Sequence, residues 1–311
     1  MTIENTGSGS TPTAAASGTW RLGDRTVNRI GFGAMRLPGM PWDEKPRDRA
    51  DAIAVLRRAV ELGVNHIDTA AFYFLPTRSA NELISTALQP YPDDLVIATK
   101  VGPGPSPDGG LEFARPDRLR AQVEENIRQL GLDHLELVNL RWGAGLSKEP
   151  GSVAEHFGAL AELREAGLIR HLGVSNITPE QLTEAMEIAP VVCVQNRYGL
   201  TERQDETLVE MCAGHGIAFV PFFTVAPSIP GATPHGGGPD TTGEAEIAQV
   251  AKAHGATPAQ IRLAWTLHHG RHILVIPGTG DIAHLEENIA AGGIRLSADE
   301  LALLDGIAAT G

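Results

Sequence analysis

The feature that most constrains this chain is a repeated alternation. Short β-branched runs take turns with stretches of helical apolar spacing, and the pattern continues from residue 30 almost to the end. The runs Ile30–Arg36, Val64–Asp68, Leu95–Lys100, Leu135–Arg141, Ile169–Ser175, Val191–Gln195, Ala218–Phe222 and Ile273–Ile276 read as eight strands. They lack a polar alternation, as strands buried on both faces do. Helices are expected between and after them, over Ala50–Glu61, Ala80–Leu88, a segment opening at Pro116 and closing at Gly131, Val153–Ala166, Leu208–His215, Glu244–His254, Pro258–His268, Ile282–Ala291 and Ala298–Ala308. Thr178-Pro179-Glu180-Gln181 has the form of a capping box with proline in the first helical position, and Thr257 stands as a cap before Pro258. Eight β/α units in a little under 300 residues is the size of a (β/α)8 TIM barrel. A doubly wound sheet is the alternative. It calls for a GxGxxG turn after the first strand, and Gly31-Phe32-Gly33-Ala34-Met35-Arg36 begins like one and then departs.

Ahead of the barrel, Thr19–Leu22 and Arg25–Asn28 flank Gly23-Asp24 and form an expected hairpin, placed to plug the barrel bottom. Residues 1–18, rich in Ser, Thr, Gly and Ala, read as a disordered tail, with residues 19–311 as one domain. The chain of 311 residues has 25 Lys and Arg against 38 Asp and Glu, a net charge of −13. That field disfavours nucleic acid and anionic lipid as partners. No apolar run approaches the roughly 20 residues a membrane helix needs. Cys193 and Cys212 make no disulfide framework, and the reading is a cytoplasmic protein without an obligate protein partner. The one long irregular stretch, Ala226 to Gly243, follows strand seven and reads as a lid.

Barrel enzymes keep their chemistry at the C-terminal ends of the strands. Asp68, Lys100, Asn139, Arg141, Ser175, Asn176, Gln195 and Phe222 fall there. An Asp and a Lys aimed at one mouth invite an ion pair, and Tyr73 lies in the loop just beyond Asp68. A lysine ammonium favours phenolate and lowers a tyrosine from its ordinary value of about 10, so that it can exchange a proton with an oxygen near neutral pH. Such a set suits carbonyl–alcohol interconversion with a cofactor supplying hydride. His66 points the same way as Asp68 and reads as a packed histidine. His268, His269 and His272 read as a surface cluster rather than a zinc site, and Trp142 as a pocket wall or as plain core packing.

Asp68-Thr69-Ala70-Ala71-Phe72-Tyr73 resembles the DTAxxYG motif of the aldo-keto reductases, with Phe74 in place of the glycine. Ala98-Thr99-Lys100, Gly173-Val174-Ser175-Asn176, Val194-Gln195-Asn196 and Ile276-Pro277-Gly278-Thr279 with Glu287-Asn288 are similar to further segments of that family, in family order. The resemblance implies an NAD(P)H-dependent oxidoreductase acting on a small carbonyl substrate. It makes Tyr73 the general acid, tuned by Lys100 and Asp68. Ser175, Asn176 and Gln195 would hold the nicotinamide and Phe222 would stack on it. Gly278, Thr279, Gly280, His284, Glu287 and Asn288 would meet the adenosine end, and Ala34, Met35, Asp68 and Val225 would also line the cofactor. Arg141 stands where the family usually has His, as in a bacterial subgroup that includes pyridoxal reductases. Its fixed charge would polarise the carbonyl, bind an anionic group or disturb the Tyr73 and Lys100 pair. The adenosine segment lacks the usual Lys or Arg for a 2′-phosphate and carries Asp281, so NADPH is expected by default with NADH open. The helix beginning near Asp281 could still offer N–H groups to a phosphate. Thr224-Val225-Ala226 replaces the usual Pro-Leu-Gly. Two other readings fit parts of the pattern: a nicotinamide-binding redox sensor or scaffold with little turnover, and a lyase or isomerase using Lys100 as a Schiff base. Substrate choice would rest on the loops 72–79, 102–110, 142–147 and 226–243.

Overall fold

The computed structural model describes residues 11–39, 47–106, 110–225 and 242–307. Seven parallel strands lie side by side in chain order: Phe32–Gly33, His66–Asp68, Val96–Val101, Leu135–Arg141, Ile169–Ser175, Val191–Gln195 and Ala218–Phe219. The eighth run closes the sheet through two parallel bridges, Phe219 to Ile273 on one side and Ile30 to Val275 on the other. Gly31 N–H donates to the Val275 carbonyl at 2.9 Å, and Leu274 N–H to that of Phe219 at 2.9 Å. This is the expected (β/α)8 barrel.

The strands alternate between two cores. Residues facing the helices join the large outer core. Val96, Ala98, Leu137, Cys193, Ala218, Val220 and Leu274 fill the interior. Leu22 and Val27 of the hairpin Thr19–Leu22 and Arg25–Asn28 belong to that interior cluster, so the hairpin does cover its lower end.

Most element boundaries match the sequence reading, because local signals set them. Thr178 forms the expected capping box, Thr257, expected as a cap, forms a full box with Gln260, and Gly131 ends its helix in the left-handed region at φ +65°. Strands one, seven and eight are shorter than expected. Pro221 and Pro277 lack an N–H to donate and interrupt the ladders, although beyond Pro221 the Phe222 N–H still donates to the Asn196 carbonyl at 3.0 Å. After Gly33 the chain turns away, and the Ala34 N–H instead caps strand two at the Asp68 carbonyl, 2.8 Å away.

The expected tail also needs correction. Ala14–Ser17 forms a 3-10 turn, with Ala14 fully buried and its N–H bonded to the Leu62 carbonyl. The Ser17 hydroxyl accepts from the Ile30 N–H. Residues 1–10 lie outside the described residues, as do 226–241 of the expected lid. Cys193 and Cys212 are buried free thiols. No described helix is long and apolar enough to cross a membrane.

Candidate active site

The centre of the site is a buried ion pair. Strand two ends at Asp68, whose register partner on strand three is Ala98, and Lys100 lies two residues further along on the same face at the barrel mouth. Lys100 Nζ donates to Asp68 Oδ2 at 2.5 Å and to the Thr69 carbonyl at 3.1 Å. Both side chains are 5% exposed. Asp68 Oδ1 accepts a further bond from Gln195 Nε2 at 2.6 Å. Burial works against the Lys100 charge, but the Asp68 carboxylate and the Tyr73 phenol outweigh it and hold the ammonium pKa above its ordinary value. A lysine fixed in this charged state is a poor amine nucleophile, which weakens the Schiff-base reading.

A buried polar network holds these two residues from behind. Thr69 and Thr99, the outward-facing neighbours of Asp68 and Lys100, are both fully buried. Thr69 Oγ1 donates to Asn81 Oδ1 at 2.8 Å, and Thr99 Oγ1 to Asn126 Oδ1 at 2.6 Å. Asn81 Nδ2 joins the halves by donating to Asn126 Oδ1 at 3.0 Å. The network ties the ends of strands two and three to the helices Ala80–Leu88 and Leu119–Leu130.

Lys100 Nζ lies 4.8 Å from the Tyr73 ring centroid. Here one expectation is reversed. Burial pushes the Tyr73 phenol up and Lys100 pulls it down, with Arg141 helping Lys100; burial prevails, and the pKa stands above its ordinary value. Without substrate, Tyr73 is therefore a neutral phenol, the form that donates a proton.

Arg141 ends strand four with its guanidinium 5.1 Å from the Phe222 ring centroid. Its Nη2 donates to the Gly145 carbonyl at 2.8 Å and its Nη1 to Ser175 Oγ at 3.4 Å. Lys100 Nζ still lies against the Tyr73 ring, so the Tyr73 and Lys100 pair that Arg141 could have disturbed is intact. Gly102 makes room for this strand end. A Cβ there would lie 2.3 Å from the Arg141 carbonyl oxygen, and its φ is +120°.

These groups open onto a cavity of about 320 Å3, walled by Phe72, Tyr73, Phe74, Leu111, Leu146, Phe222 and Phe223 around Asp68, Lys100, Arg141 and Gln195. The loops after strands two and three form small hairpins at its rim, Phe74–Leu75 with Arg78–Ser79 and Pro103–Pro105 with Leu111–Phe113. A second hollow of about 150 Å3 continues from Asp68 and Tyr73 past Met35, Phe222, Val225 and Gly278 to Asn288. Thr279, Gly280, His284 and Glu287 follow on the helix entry beyond it.

Other residues expected near the site do not line either hollow. Ala34, Ser175 and Asn176 are buried, and the Asn176 amide donates to the Trp142 and Ser147 carbonyls. Asn139 is fully buried below the cavity, beside Gly173 and Cys193, rather than at its surface. Trp142 packs on Phe113 and His156 and is core, not pocket wall. His268, His269 and His272 have separate partners, and His272 is buried, so they form no surface cluster. Arg36 and Arg47 were missed, and Phe223 was placed at the end of strand seven without a role. Phe223 and Arg36 line these cavities, and Phe223 holds a left-handed φ of +63°. Nothing in local spacing marks the arginines, because they follow strand one in a loop.

A model of the aldo/keto reductase family matches residues 29–309. Pyridoxine 4-dehydrogenase of Escherichia coli is 44% identical over 295 residues, covering 94% of this chain and 99% of its own. An uncharacterised oxidoreductase of Schizosaccharomyces pombe is 39% identical over 97% of this chain and 94% of its own. The structure of an aldo-keto reductase from Klebsiella pneumoniae in complex with NADPH superposes with a TM-score of 0.75 at 28% identity, covering 92% of this chain and 93% of that one. With its barrel and its Asp68, Tyr73 and Lys100 set, this chain belongs to the aldo/keto reductase family of NAD(P)H-dependent oxidoreductases.

Proposed function

We propose that this protein uses NADPH to interconvert a pyridine-ring aldehyde of the pyridoxal type and its alcohol. The observation that carries the reading is the fixed positive charge of Arg141 in a cavity walled by aromatic side chains, next to Tyr73 and Lys100. A flat heteroaromatic ring suits those walls. A ring hydroxyl beside the aldehyde ionises to an oxyanion, which Arg141 can bind while Tyr73 addresses the carbonyl oxygen. The 44% identity to pyridoxine 4-dehydrogenase supports the same substrate class.

The residues fit the cofactor. Met35, Phe222, Val225, Gly278 and Asn288 line a hollow continuous with the catalytic set. Gln195 Oε1 is buried without a partner among the described residues, as an acceptor reserved for a carboxamide would be. The bound cofactor supplies hydride to the carbonyl carbon. Tyr73 donates its phenol proton to the oxygen that gains charge, and Lys100, held by Asp68, stabilises the phenolate left behind. The test is NADPH oxidation with pyridoxal against an aromatic aldehyde without the ring hydroxyl, in the parent protein and in Arg141→Met. Pyridoxal should be preferred, and the preference should collapse in the variant. Equal turnover of both aldehydes by the parent protein would sink the substrate assignment.

A further inference from the structure

The adenosine end of the cofactor hollow has no basic residue in its own segment, Gly278 to His284, apart from the histidine. The fold brings one in from elsewhere. Arg47 lies in the loop between strand one and the helix Arg49–Glu61, and barrel closure sets strand one beside strand eight. Its guanidinium lies over Gly280. A Cβ on that glycine would stand 2.1 Å from Arg47 Nη1 and 2.7 Å from Cζ, so the arginine fills the room a side chain at 280 would need. Arg78 Nη1 donates to the Arg47 carbonyl and anchors that residue. Arg47 Nε is buried with no partner among the described residues.

The surroundings favour this cation as the group that meets a phosphate there. The helix Ile282–Ala290 cannot present its first turn freely, because Asp281 caps it, its Oδ1 accepting from the His284 N–H at 2.9 Å. The Asp281 N–H is itself taken by Thr279 Oγ1 at 3.1 Å. Around Gly280 the Thr279 hydroxyl hydrogen is a donor, the Asp281 carboxylate is a repulsive neighbour, and Arg47 is the positive charge in contact. The Asp281 carboxyl is held below its ordinary range, first by the His284 N–H and also by Arg47.

From this geometry we infer that Arg47, reaching across the barrel seam into the space left by Gly280, is the residue that binds the 2′-phosphate of the dinucleotide and selects NADPH over NADH. The inference rests on the cofactor reading above and adds the residue that decides it. A guanidinium matches a phosphate monoester dianion with paired N–H donors, and the Thr279 hydroxyl supplies a third.

The experiment measures dissociation constants of NADPH and NADH by quenching of protein fluorescence, without substrate. The parent protein should bind NADPH at least about tenfold more tightly. Arg47→Met should weaken NADPH by about 30-fold and leave NADH within about twofold. The nucleotide 2′,5′-ADP should lose affinity as NADPH does, and 5′-AMP should not. Equal loss for both dinucleotides in Arg47→Met, or no loss, overturns the assignment. If Arg47→Met fails to fold, Asp281→Asn keeps the helix cap and removes the competing charge. It should tighten NADPH alone, and an unchanged NADPH constant would count against the inference. A parent protein that binds neither dinucleotide defeats the cofactor reading and this inference together, whereas equal affinity for both defeats only the latter.

Discussion

His66 gives the sharpest test of how this barrel is held together. It points into the interior behind Gly31, is 3% exposed, and neither ring nitrogen has a normal hydrogen bond among the described residues. Burial pushes its pKa from 6.5 down to about 4, only partly opposed by the Asn28 backbone. The folded protein therefore refuses a proton that the unfolded chain accepts between pH 6.5 and 4. Unfolding then takes up protons in this window, so stability falls as pH drops through it and levels off below about 4. A shift from 6.5 to about 4 corresponds to roughly 3 kcal/mol in full, of which about 2 kcal/mol is lost between pH 7 and pH 5. His66→Leu removes the group with little change in volume. Urea unfolding of both proteins at pH 7 and pH 5 isolates its share. His272, also held low by burial, titrates in both and cancels. At pH 7 the variant should be as stable as the parent or more so, since it buries no unsatisfied nitrogen. At pH 5 the parent should have lost about 2 kcal/mol more than the variant. Identical losses would show that His66 finds a partner or is hydrated, and the reasoning from burial would be wrong.

Three further outcomes are expected. Tyr73→Phe should lower kcat by about 10^2 to 10^4 while the NADPH dissociation constant stays put, and unchanged turnover would remove Tyr73 from the proton-transfer role. Lys100→Met leaves the Asp68 carboxylate buried with only Gln195 as a side-chain partner among the described residues, and should cost about 3–5 kcal/mol in urea unfolding. Adding Asp68→Asn should recover part of that loss, and a double variant no more stable than the single would refute the ion-pair account. Asn126→Leu deprives Thr99 and Asn81 of their shared acceptor. It should lower stability by about 2–5 kcal/mol and reduce kcat more than it raises KM, whereas an unaltered kcat in the folded variant would make the network purely structural.

Much of the molecule is legible in its sequence, for a physical reason. Helix starts and stops depend on a few adjacent residues, so the caps at Thr178 and Thr257 and the hairpin around Gly23-Asp24 can be read directly. The strand-end chemistry is nearly as local. A parallel barrel sends every strand the same way, so Asp68, Lys100, Arg141 and Gln195 meet once the strands are counted. Tertiary structure decided what depends on residues far apart in the chain. Burial from several elements raises the Tyr73 pKa against the pull of Lys100. Strand register leaves Asn139 below the cavity while Arg141, two residues on, reaches it. Closure of strand eight onto strand one delivers Arg47 to Gly280. Local patterns carry backbone preference and the direction of side chains. Electrostatic environment and loop-to-loop contact arise only when the sheet closes and removes water from its mouth.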